Sequence, residues 1–168
     1  ASDDAGVIYS GRKYIQRGNE IAYNFLHDSG AVRNKSRGMA AGIYWDDSMS
    51  GQYAYHNIIE GVSPSVYSCG QANVFEKNTV INSQRGIRYN TNYQYGTSRE
   101  ERETAEYNAI KDNAAYTSAY PEIVTGMLLY KTKNALNKIN DNLIVNSESN
   151  DYYNNGGGSV SGNEEVDT

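Results

Sequence analysis

The chain has 168 residues, 38% of them hydrophobic, and a formal net charge of −5. No apolar run approaches the ~20 residues of a membrane-spanning helix, no basic footprint marks nucleic-acid binding, and one cysteine, Cys69, leaves no internal disulfide framework. A mean hydropathy of −0.73 points toward disorder, whereas 16 Tyr and only 2 Pro point away from it.

Two kinds of short segment recur along the chain. One opens on Gly or Ser: Gly6-Val7-Ile8-Tyr9, Gly42-Ile43-Tyr44-Trp45, Ser65-Val66-Tyr67-Ser68, Gly86-Ile87-Arg88-Tyr89 and Gly126-Met127-Leu128-Leu129. The other places an asparagine before a short apolar stretch, at Asn24, Asn57, Asn78 and Asn142. Three of these four have another asparagine five residues earlier, and Gln52 takes that place before Asn57. Asn57 to Asn78 spans 21 residues, as does Ser65 to Gly86. A repeat of that length, with short β runs and turns at Asn or Gly, predicts an all-β parallel β-helix of about five to six coils. Each coil pairs with its neighbours at about 4.8 Å, so equivalent residues stack in columns. Asparagine tolerates left-handed backbone, and stacked Asn side chains bond one another, which suits the coil corners.

Longer gaps predict loop insertions. Gly6 to Gly42 spans 36 residues, and the excess falls in a Gly-, Ser- and Arg-rich stretch at about 28–40. Gly86 to Gly126 spans 40 residues and contains a Glu- and Arg-rich run, 98–112, of good helix propensity. That insertion, about 91–122, is expected to carry a short helix. The coils are expected over 1–149. Residues 150–168, rich in Asn, Gly and Ser, read as a loop or a flexible C-terminal segment.

Strand alternation assigns faces. The column Ile8, Ile43, Val66 and Ile87 is apolar and should face inward. Tyr9, Tyr44, Tyr67 and Arg88 then face outward on one sheet. Three stacked tyrosines offer faces for the C–H groups of sugar rings, or simply support the sheet through cross-strand pairs. Asp46 falls on the same outward face and Asp47 follows at the turn. Adjacent carboxylates suit an acid–base pair or a cation site, and also suit a turn cap. Arg12, in the Asp47 column, is a surface ion pair or a contact for a substrate carboxylate. His27-Asp28 follows a strand, where a histidine oriented by a carboxylate serves as acid or base. Cys69 has no histidine nearby in its repeat. No HxxxH, CxxC or EF-hand spacing occurs, so no metal cofactor is expected, although Asp46 and Asp47 with backbone carbonyls could take calcium.

The segments 4–12, 19–28, 42–48, 51–82, 120–123 and 137–146 together resemble the right-handed parallel β-helix of secreted bacterial carbohydrate-active proteins, the pectate-lyase-like superfamily. Members of that family are several times longer than this chain. The resemblance implies a secreted or cell-surface protein acting on a polysaccharide or oligosaccharide. It implies a glycoside hydrolase with Asp46 as a catalytic carboxylate and Asp4 or Asp47 as the second, because such hydrolases present Asp in the two corresponding stretches. The column register puts Asp4 about 20 Å from the Asp46 row along a straight strand, so the pairing requires a turn. The alternatives are a polysaccharide lyase, with Arg12 or Arg88 neutralising a uronic carboxylate, and a non-catalytic adhesion segment whose open ends meet further coils or other copies.

Overall fold

The computed structural model describes residues 4–29, 40–90, 98–129, 134–154 and 157–168. Fifteen short strands among them form three five-stranded sheets, and neighbouring strands within these sheets pair in parallel. Sheet one holds β1 (Ala5–Gly11), β4 (Ala40–Asp46), β7 (Val66–Ser68), β10 (Ile87–Asn90) and β13 (Asp151–Asn154) in that spatial order. Sheet two holds β2 (Glu20–Ala22), β5 (Tyr53–Tyr55), β8 (Val74–Glu76), β11 (Asn134–Asn140) and β14 (Gly157–Ser161). Sheet three holds β3 (Phe25–His27), β6 (Ile58–Glu60), β9 (Thr79–Ile81), β12 (Leu143–Val145) and β15 (Glu164–Val166). Consecutive strands thus visit sheets one, two and three in turn, five times over. The chain is predominantly β with parallel sheets, an arrangement compatible with a parallel β-helix.

The predicted inward column is present. Ile8, Ile43, Val66 and Ile87 are register partners. Ile21, Ala54, Phe75 and Ile139 align in sheet two, and Leu26, Ile59, Val80 and Ile144 in sheet three. These three columns pack as one core together with Trp45. Each buried aliphatic side chain contributes roughly 1.5–3 kcal/mol. One inward residue per strand suffices, which reconciles the low hydrophobic fraction with an ordered chain.

Asparagine columns close the corners between sheets two and three. Asn24, Asn57, Asn78 and Asn142 each donate Nδ2–H to the Oδ1 of the next, at 2.9, 2.9, 3.2 and 2.8 Å, the last acceptor being Asn163. A second column, between sheets one and two, runs Asn19, Gln52, Asn73 and Asn137. The left-handed residue is not the asparagine itself. It is the residue just before it: Tyr23, His56, Lys77, Asp141 and Gly162 all have φ between 54° and 66°. The corner is therefore a left-handed residue followed by an asparagine, whose amide is freed to bond both the next coil and the preceding carbonyls. Asn78, for example, also donates to the carbonyls of Ala54 and Glu76.

Two segments differ from the sequence expectation. Gly126-Met127-Leu128-Leu129 is not a strand; it closes helix α3 (Glu122–Leu129), which follows α1 (Ser98–Ile110) and α2 (Ala114–Ala119). An apolar run of four cannot distinguish strand from helix by period, and Ile123 and Gly126 are buried at helical spacing. The insertion thus carries three helices rather than one and runs past residue 122. The tail predicted as a loop carries β13, β14 and β15. Gly162 and Asn163 repeat the corner pattern there, and backbone pairing to β11 and β12 orders a segment whose composition is polar. Of the predicted 28–40 insertion, residues 30–39 lie outside the described ones.

The helices cover the connections between sheets one and two. Glu106 accepts from the Tyr14 backbone N–H at 2.9 Å, and the Tyr116 hydroxyl donates to the Ile15 carbonyl. Arg17, its side chain fully buried, meets Glu122 at 3.0 Å and lies over the Tyr14 ring. Tyr14 in turn donates to Gln71, whose amide donates to the Gly126 carbonyl.

Candidate functional site

The site sits on the outer face of sheet one, where β1 and β4 lie side by side with Tyr9 opposite Tyr44 and Gly11 opposite Asp46. Alternation sends Tyr44 and Asp46 to the same outer side. The Tyr44 hydroxyl lies 2.8 Å from Asp46 Oδ1 and 2.9 Å from Asp4 Oδ1. The Tyr9 hydroxyl donates to Asp46 Oδ2 at 2.8 Å, and the Asp47 N–H donates to Asp46 Oδ1 at 2.6 Å. Asp4 has φ of 63°, so the chain bends there instead of running straight. That bend, together with the reach of the Tyr44 side chain, overcomes the separation implied by the strand register.

Glycines make the room. A Cβ on Gly6 would stand 2.8 Å from Tyr44 Cβ, and one on Gly11 would stand 2.9 Å from the Tyr9 hydroxyl and 3.0 Å from Asp46 Cβ. Sequence reasoning missed both, although a glycine in a strand marks a close approach.

Three donors converge on Asp46, an environment that satisfies a carboxylate accepting through both oxygens. Asp4 is exposed and meets the Tyr44 hydroxyl. Burial, then the bonds to Asp46 and Asp4, push the Tyr44 phenol far above the ordinary tyrosine range, so it stays a donor. Tyr9 is pushed up to about 12 by desolvation and the Asp46 bond.

Asp47 does not pair with Asp46. Its carboxylate is taken up by Arg12 Nε at 3.4 Å and by Arg99 of α1. Arg99 was not legible as a site residue, because only the insertion's docking brings it here. The three tyrosines adjoin but do not form a face-to-face stack: Tyr9 meets Tyr44 edge-on at 5.3 Å and 82°, and Tyr44 meets Tyr67 tilted at 5.2 Å and 33°. Tyr44 and Tyr67 are 3% and 9% exposed, and form a small cluster with Ala41 and Cys69. Tyr9, at 49%, is the one that offers an open face. Arg88 lies over the Tyr67 ring at 4.9 Å. Burial pushes the Cys69 thiol up to about 12, against an opposing bond with Tyr67, which leaves it unreactive at neutral pH.

His27 is elsewhere, on sheet three. Its Nδ1 lies 2.8 Å from Asp28, its ring stacks on Phe25, and its register partner is Glu60. The fold does not bring it to Asp46. Among the described residues no cluster of three or more His, Cys, Asp or Glu is arranged to hold a metal ion.

No family model matches the chain, and neither a curated protein nor a solved structure matches it. The three parallel sheets are compatible with a parallel β-helix or a similar fold.

Proposed function

We propose that the chain is a right-handed parallel β-helix of five coils from a secreted or cell-surface protein, acting as a glycoside hydrolase on a polysaccharide. Right-handedness follows from the near-universal hand of parallel crossovers. The observation that carries the activity is the Tyr44 hydroxyl within hydrogen-bonding reach of both Asp46 and Asp4. Two oxygens each within 2.9 Å of one atom lie less than about 6 Å apart. That range matches the ~5–5.5 Å carboxyl separation of retaining glycosidases better than the ~6.5–9.5 Å of inverting ones.

In this reading Asp46 is the nucleophile and Asp4 the acid–base residue. Asp46 attacks the anomeric carbon as Asp4 gives its proton to the departing glycosidic oxygen. The bond to the leaving sugar breaks and a glycosyl–Asp46 ester forms. Water, losing a proton to Asp4, then attacks the anomeric carbon and frees Asp46. Tyr44 holds both carboxyl groups in place, and the exposed ring of Tyr9 walls the subsite. The elimination alternative needs an arginine free to meet a uronic carboxylate, and it is less well supported, since Arg12 is engaged with Asp47 and Arg88 with Tyr67.

The test is a panel of plant and host polysaccharides assayed for new reducing ends and, separately, for absorbance from a new C=C bond. Reducing ends without that absorbance, lost in Asp46→Asn, support hydrolysis. Undiminished turnover by Asp46→Asn overturns the assignment.

A further inference from the structure

The outer face of sheet three is apolar along most of its length. Strand alternation sends two columns outward, one on each side of the buried column Leu26, Ile59, Val80 and Ile144. In the first outward column Phe25, Ile58 and Leu143 are 55%, 44% and 38% exposed. In the second, Ile81, Val145 and Val166 are half-buried register partners. A contiguous apolar patch of this kind marks a contact surface. The three helices dock elsewhere, over the connections between sheets one and two.

The dimensions select the occupant. Five strands at about 4.8 Å apiece make the face roughly 24 Å long, and three residues per strand make it about 10 Å wide. That area, roughly 240 Å² in plan, falls well short of the ~800 Å² per partner of a stable dimer. It matches one α-helix, about 10 Å across and roughly 16 residues long at a rise of about 1.5 Å per residue. A helical turn advances about 5.4 Å, close to the strand spacing. Side chains from successive turns therefore seat between the two outward columns, strand after strand.

Charge selects the chemistry of that helix. Asp28 and Glu60 stand toward the β3 end of the face, and Glu164 and Asp167 at the β15 end. Among the described residues Glu60, Glu164 and Asp167 make no ion pair, and Asp28 meets His27 beside it. Lys77 and Arg85 lie at mid-length, in the connections before and after β9. Both ends of the face are thus acidic. A two-fold axis lays each end either on the partner's opposite end or on its own equivalent. Either way carboxylates meet carboxylates, which disfavours a second copy. A helix with Lys or Arg near both of its ends complements the face.

We infer that sheet three docks an amphipathic α-helix of a protein partner, its apolar stripe lying along Phe25, Ile58 and Leu143 and its basic ends on Glu60 and Glu164. The surface lies on a different sheet from Asp46, and the inference does not rest on the hydrolase reading.

Fluorescence anisotropy with the full chain tests it. The probe is a labelled synthetic peptide of about 16 residues, with Leu at i, i+3, i+4 and i+7 spacing and Lys in its first and last turns. One control peptide has the same composition scrambled to remove the stripe, and another has Glu in place of Lys. The probe should bind at least about tenfold more tightly than either control. Ile58→Ser combined with Leu143→Ser, both at exposed positions, should weaken it about tenfold. Glu60→Gln combined with Glu164→Gln leaves the stripe intact. That variant should weaken the probe several-fold at low salt and flatten its salt dependence. No binding of the probe, equal binding of the scrambled peptide, or equal binding by the parent and both double variants overturns the inference. So does a concentration-dependent dimer in sedimentation that Ile58→Ser with Leu143→Ser abolishes, because the occupant is then a second copy.

Discussion

Tyr44 brings Asp46 and Asp4 together although the strand register separates them, its one hydroxyl lying 2.8 Å from the first and 2.9 Å from the second. A phenol has a single proton to donate, so Tyr44 bonds both groups when it donates to the Asp46 carboxylate and accepts from a protonated Asp4. Tyr44→Phe keeps the ring and removes that link. Turnover of whichever polysaccharide is cleaved should fall roughly 10²-fold, the scale of losing one placed hydrogen-bond donor in an active site. Steady-state kinetics should show the loss in kcat more than in KM. A variant with kcat unchanged would detach Tyr44 from catalysis.

The asparagine column predicts graded stability. Asn78 sits mid-column, accepting from Asn57 and donating to Asn142 and to two carbonyls. Asn78→Ala leaves several of those buried groups unpaired, and should cost about 3 kcal/mol. Asn163 terminates the column and is only half-buried; Asn163→Ala should cost about 1 kcal/mol. Urea denaturation monitored by circular dichroism compares the two, and equal losses would contradict the column.

Corner conformation makes a separate prediction. Lys77 is exposed with φ of 54°. Lys77→Val places a β-branched residue in the left-handed region and should destabilise by roughly 1–2 kcal/mol. Lys77→Gly should be neutral or mildly stabilising, because glycine takes that conformation without strain. Thermal melting of the pair gives the sign directly.

Gly51 has φ of 67°, and a Cβ there would stand 2.6 Å from Arg17 Cγ. Gly51→Ala should therefore displace Arg17 from Glu122, loosening α3 at a cost of about 3 kcal/mol. Hydrogen exchange should rise in 122–129 before it rises in the strands.

Alkaline stability follows from the tyrosines. Tyr9 and Tyr53 are each pushed up to about 12, by desolvation first and then by bonds to Asp46 and Glu76. Unfolded tyrosines lose their protons near pH 10, so above that pH the unfolded state binds fewer protons than the folded one. The stability these groups contribute is complete below about pH 10 and is lost as pH rises toward about 12. Denaturation midpoints measured across that window should fall, and fall less steeply in the Tyr9→Phe, Tyr53→Phe double variant.

Much of the fold was legible because its signals are local and repeat. A glycine or serine before a β-branched residue, and an asparagine before a short apolar stretch that recurs after 21 residues from Asn57 to Asn78, made the column Ile8, Ile43, Val66 and Ile87 and the corner ladder readable. The α3 segment was not legible, since four apolar residues fit either period and only docking against Arg17 and Gln71 shows which applies. The polar tail was not legible either, because its strands are held mainly by backbone pairing to β11 and β12, which composition does not record.

The candidate site divides along the same line. That Tyr9, Tyr44 and Asp46 share an outer face is readable from residue order, since alternation along a strand is a property of the backbone. The burial of Tyr44 and Tyr67, the pairing of Arg12 and Arg99 with Asp47, and the meeting of Asp4 with Tyr44 arise from packing between the coils and the helices. Those relations depend on φ at one residue, on side-chain reach between coils, and on the docking of a distant helix. None of these leaves a periodic trace in the sequence.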